Sequence, residues 1–88
     1  MKVTTKSGFS CEIDPSTLDN MELVDALAEM QGDGDALSVS RVVRMVLGDK
    51  NRKALYDHLR KDGRVPVGDV TQEVIEIFGA LGNSGKNS

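Results

Sequence analysis

No tryptophan occurs in this chain, and tyrosine and phenylalanine together occur only three times. An interior without large rings must be filled by aliphatic side chains and by the four methionines, whose flexible thioethers adapt to irregular surfaces. The single cysteine, Cys11, excludes an internal disulfide and a cysteine-rich metal site. No run approaches the ~18 apolar residues of a membrane-spanning helix. The opening MKVTTKSGFSCEID lacks the apolar stretch of a signal peptide, so the expectation is an intracellular protein with no membrane partner. With 88 residues the chain makes one domain at most. A chain this short buries roughly 60–65% of the surface its unfolded form exposes, so its core is thin and a partner would add to its stability.

Net charge is small, but the charges are segregated. The formal net charge is −3. Residues 12–35 hold eight acids and no Lys or Arg, whereas residues 41–64 hold eight bases against three acids. Such polarity favours self-complementary contacts, either within one fold or between copies. The plainer alternative is a pair of oppositely charged solvated faces.

Along the chain, Thr, Val, Phe and Ile around Ser7–Gly8 predict a β-hairpin over 2–13, with the glycine at the turn. Asp14–Pro15–Ser16 then turns the chain. Four helices are predicted, near 19–30, 36–47, 50–61 and 67–81. The first carries Leu23, Val24, Leu27 and Met30 on one stripe. The second carries Val39, Val42, Val43, Val46 and Leu47, with Asp35 as its N-cap. Its β-branched residues are mediocre helix formers, so burial must hold this helix together. The third carries only Ala54, Leu55 and Leu59 and ends at Lys61–Asp62–Gly63. The fourth carries Val67, Val70, Val74, Ile77, Phe78 and Leu81 behind Pro66, a first-turn residue. The fold class is therefore mainly α: a short N-terminal hairpin, then a bundle of about four helices in one domain (1–81). A flexible tail or linker is expected over 82–88, where Gly, Asn and Ser dominate.

Little of this pattern carries chemistry. His58 is the only histidine, and no converging ligand or catalytic partner is visible from spacing, although Asp62 at i+4 is close enough to pair with it. Cys11, in a predicted strand, reads as a small half-buried hydrophobe. GDGDALS resembles the start of a calcium loop, but Leu37 and Arg44 stand where the EF-hand needs an oxygen ligand and its closing Glu. The expectation is a protein that is not an enzyme and holds no cofactor or metal. Two readings remain. The basic stretch 41–64 suits phosphate contacts, but the acidic stretch competes nearby and Tyr56 is its only ring for base stacking. Apolar helix faces, methionines and polarised charge suit a protein-binding module better, although periodicity alone does not separate a binding face from a core face.

The layout also resembles the small tail assembly chaperones of long, non-contractile-tailed bacteriophages. GFSCEIDPSTLDNMELVDALAEM is similar to their strand, acidic turn and first helix. VVRMVLGDKNRKALYDHLRKDGRVPVGDVTQEVIEIF is similar to the rest, and the ending KNS is one that the family uses. Gly68 and Gly79 inside the last helix depart from the pattern.

The resemblance implies a chaperone, in the cytoplasm of an infected bacterium and absent from the mature virion. It would bind the tape measure protein, keep its apolar surface soluble, and help recruit tail tube subunits. The alternative is a small phage-encoded regulator that binds nucleic acid through residues 41–64. Contacts between chaperone copies are expected, with Glu22, Asp25 and Glu29 of one meeting Arg41 and Arg44 of the next. Ile75, which falls off the main stripe of the last helix, and Phe78 are the candidate client contacts. The family also implies a longer product made by ribosomal slippage. Gly85, Lys86 and Asn87 permit the codons GGA AAA AAC, which contain the slippery run A AAA AAC.

Overall fold

The computed structural model describes residues 1–33 and 36–86. Strand β1 (Lys2–Thr4) pairs antiparallel with β2 (Ser10–Glu12), in the register Lys2↔Glu12, Val3↔Cys11 and Thr4↔Ser10. Side chains alternate across a strand, so Val3 and Cys11 face inward while their neighbours face solvent. At the turn, Gly8 adopts φ 96°, which a residue without Cβ reaches without strain. Two strands alone are marginal in water. This pair persists because Val3, Phe9, Cys11 and Ile13 join the helical core.

Asp14 accepts a 3.0 Å hydrogen bond from the Ser16 backbone N–H and caps a single 3-10 turn, Pro15–Leu18. That bond to the amide is the main reason the Asp14 carboxyl lies below its usual pKa. Helix α1 (Met21–Asp33) follows. It begins two residues later than expected because Asn20, not an earlier residue, caps it: Asn20 Oδ1 accepts from the Glu22 N–H at 3.0 Å.

The expected count of four helices is corrected to three. Residues read as separate helices over 36–47 and 50–61 form one element, α2 (Ala36–Leu59). It is broken at a single residue, Gly48, whose φ 72° and ψ 179° lie outside helical space. No loop intervenes, so the break is a kink rather than a connection. The buried side chains of α2 include Val39, Val42, Val43 and Val46, so burial does sustain its β-branched run. After α2, Asp62 (φ 53°) and Gly63 (φ 82°) make a tight reversal closed by Lys61 and Arg64 backbone hydrogen bonds. Two consecutive positive φ values suit an Asp-Gly pair.

Helix α3 (Val67–Lys86) starts just after Pro66, as the proline predicts. It runs through Lys86, so the expected tail from Gly82 is helical over most of its length. Asp35, Asn87 and Ser88 lie outside the described residues. The closest helix packing is α1 on α2 and α2 on α3, so α2 forms the middle of the molecule. Leu23, Val42, Val43, Leu55, Val74 and Ile77 make its fully buried centre.

Candidate functional site

Three of the predicted core positions lie outside the core. Val24 of α1 is 45% exposed, Val67 of α3 is 50% exposed and Ala54 of α2 faces solvent, while Ala26 is fully buried. A helix of modest width needs only a narrow stripe against α2, so a residue at the edge of a broad apolar stripe is left facing water.

The edges of α1 and α3 meet across an open groove of about 170 Å3, lined by Leu27, Met30, Gln31, Ile75 and Phe78. Ile75 is 48% exposed, and Phe78 is half-buried against the core beneath it. No charged side chain lines this groove. The two residues picked from sequence for client contact therefore lie side by side on one uncharged apolar surface. Physically, such a groove accepts the aliphatic side chains of another element and sheds water in doing so.

The residues expected to join separate copies are divided by the fold. Arg41 Nη1 lies 3.7 Å from Glu29 Oε2 of the same chain, so these two charges already meet within the molecule. Glu22, Asp25 and Arg44 are exposed and make no ion pair among the described residues. Other bases of the 41–64 segment are likewise occupied. Arg52 pairs with Asp49 at 3.4 Å, Arg60 with Asp57 at 2.5 Å, and Lys61 with Asp69 at 3.5 Å. Arg52 also lies over the Tyr56 ring, 5.6 Å from its centroid, on the aromatic that base stacking would need.

A second cluster was not legible as a site. Glu73 is 4% exposed, and its Oε1 accepts from Thr5 Oγ1 at 2.7 Å and from Ser7 Oγ at 3.0 Å. His58 Nε2 lies 3.1 Å from Ser7 Oγ and 3.2 Å from the Ser7 carbonyl, so its partner is the hairpin turn rather than Asp62. Glu76 Oε1 accepts from the Lys6 N–H at 2.8 Å. Because Ser7 donates to Glu73, the shared His58 nitrogen acts as donor to both Ser7 oxygens. A nucleophile–base pair needs the reverse, with the carboxylate holding the far side of the imidazole. The cluster instead clasps the hairpin turn to α2 and α3. Its signal in the sequence is an acid standing on the apolar stripe between Val70 and Ile77.

Cys11 is buried, and burial followed by the negative charge of Glu12 pushes its thiol above the ordinary value. Of the positions that permit slippery codons, Gly85 and Lys86 fall within α3 and Asn87 lies outside the described residues. No helix of the described residues is long and apolar enough to cross a membrane, and no group of His, Cys, Asp or Glu among them is arranged to hold a metal ion. Compared with known proteins, the chain matches no family model, no curated protein and no solved structure. What the fold and its surfaces define is a small helical module with a clasped hairpin and an open apolar groove.

Proposed function

We propose that this protein is a tail assembly chaperone of a long, non-contractile-tailed bacteriophage, which binds the helical tape measure protein, keeps it soluble and helps recruit tail tube subunits. The observation that carries the reading is the uncharged groove between α1 and α3, with Ile75 exposed at its rim and Phe78 beside it. An amphipathic helix presents apolar residues every three or four positions, and a groove of this kind takes such anchors one at a time. Shallow, repeated contacts suit a client that must be coated along its length and later released. The sequence resemblance supplies the identity of the client, of the tail tube subunits brought to it, and of the longer product that would recruit them.

The nucleic-acid reading is weakened by the ion pairs of Arg41, Arg52, Arg60 and Lys61, which hold half of the eight bases of the 41–64 segment against acids of the same chain. Competing acids reduce the counterion release that drives phosphate binding. The gene tests the proposal directly. A slippery run at Gly85–Lys86–Asn87, an open frame one nucleotide back, and a very long helical reading frame beyond it are the expected result. Absence of both the run and the long frame, together with salt-dependent DNA binding by the purified protein, would favour the regulator instead.

A further inference from the structure

A second groove, of about 270 Å3, opens between α2 and the start of α3. Ala36, Val39, Tyr56, Val65, Val67 and Val70 line it, and no residue of α1 does. Ser40 completes the lining, and Arg44 stands one helical turn beyond it. Lys53 stands one turn before Tyr56, and Arg64 adjoins Val65 in sequence. Arg44, Lys53 and Arg64 make no ion pair among the described residues, while the nearby acids Asp57 and Asp69 are already bound to Arg60 and Lys61. The lining is thus apolar, and three bases without an ion pair among the described residues stand within one helical turn or one residue of it.

The matching shape stands on the same chain. Met21, at the start of α1, is 69% exposed, and Val24 follows one turn later. Glu22 and Asp25 are next to them in sequence, and neither makes an ion pair among the described residues. We infer that the Met21 end of α1 of one copy docks in the Tyr56–Val67 groove of a second copy, with Glu22 and Asp25 facing Arg44 and the bases around it. The inference deepens the proposed chaperone and rests on that reading for its purpose, since neighbouring copies on a long client would be joined this way. Knob and groove are different surfaces, so the contact is head-to-tail and each added copy leaves one of each open. It lies apart from the Ile75 groove and leaves that groove available to a client.

Mixing two blocked variants of the full chain, followed by sedimentation velocity, tests the contact. Met21→Asp spoils the knob, and Val67→Glu spoils the groove. Both positions are exposed, so both variants are expected to fold, which circular dichroism checks. The wild type is expected to self-associate reversibly and more weakly at high salt. Arg44→Glu should raise the dissociation constant by about tenfold or more. Each blocked variant alone should be monomeric. Their equimolar mixture should form a 1:1 heterodimer and nothing larger, because one copy retains the groove and the other the knob. A monomeric wild type at millimolar concentration, a mixture that stays monomeric while the wild type associates, or blocked variants that associate like the wild type would each overturn the inference. Unchanged association with loss of client binding in Val67→Glu would also overturn it, giving the groove to the client. Failure of the wild type to solubilise a tape measure fragment while the heterodimer forms would sink the chaperone reading and leave this contact standing.

Discussion

Thr5 Oγ1 donates a 2.7 Å hydrogen bond to Glu73 Oε1, joining two buried side chains 68 residues apart in the chain. With Ser7 on the same oxygen, this bond ties the first turn of the molecule to its last helix. Glu73→Ala would leave two hydroxyls without their acceptor and should cost about 1–3 kcal/mol of stability. Glu73→Gln keeps a carbonyl acceptor and should cost less. Chemical denaturation of the two variants checks the order, and equal losses would mean that the clasp needs the carboxylate charge rather than a neutral acceptor.

Gly48 and Gly79 both have open space where a Cβ would stand, but their backbones differ. Gly48 sits at φ 72° and ψ 179°, a region that only glycine occupies readily. Gly48→Ala should therefore destabilise by about 1–3 kcal/mol despite the room around it. Gly79 lies within α3 on its exposed side, and Gly79→Ala should stabilise by about 0.5–1 kcal/mol. Melting curves that moved in the same direction for both would contradict the kink at Gly48.

Cys11 has a folded pKa above its unfolded value, so folding favours the neutral thiol. Its contribution to stability is fully present below the unfolded pKa of about 8.5 and is lost as pH rises through the higher folded value. Stability should fall with pH above about 8.5 more steeply in the native protein than in Cys11→Ala. Alkylation by iodoacetamide near neutral pH should likewise be slow until the protein is unfolded.

Ile75→Asp should leave the fold intact, with a change within about ±0.5 kcal/mol, because the side chain is half in solvent. Ile77→Asp, two residues on, places a charge in the fully buried centre and should prevent folding. The contrast separates a surface that is available for binding from the stripe that makes the core.

Much of this architecture is legible in the sequence, for reasons that are local. The β-branched residues flanking Ser7–Gly8, Pro66 before α3, and the Asp62–Gly63 reversal each carry their own backbone preference. The expected stripe of α2 is apolar enough to read because all of its valines are buried. What escapes is non-local. Glycine at 48 signals a break, but whether a break becomes a loop or a kink depends on how the two arms pack. Val24 and Val67 look like core because a stripe says nothing of how wide its partner is. Glu73 stands out in the sequence only as an acid on an apolar stripe, and its partners Thr5 and Ser7 arrive from the other end of the chain. Arg41 and Glu29 look like partners between copies for the same reason, since only the fold brings them together within one. The Ile75 position is legible as an off-stripe aliphatic, whereas the groove beside it depends on α1.

The most direct test of the proposed function is co-expression of this protein with a fragment of the long helical protein that the proposal expects to be encoded downstream of its gene, reading the share of the fragment that stays soluble. Wild type should keep most of the fragment in solution and co-purify with it, and Ile75→Asp, though folded, should lose both effects. A fragment that precipitates equally with and without the folded wild-type protein, or that stays soluble equally with Ile75→Asp, would contradict the groove between α1 and α3 as the client site.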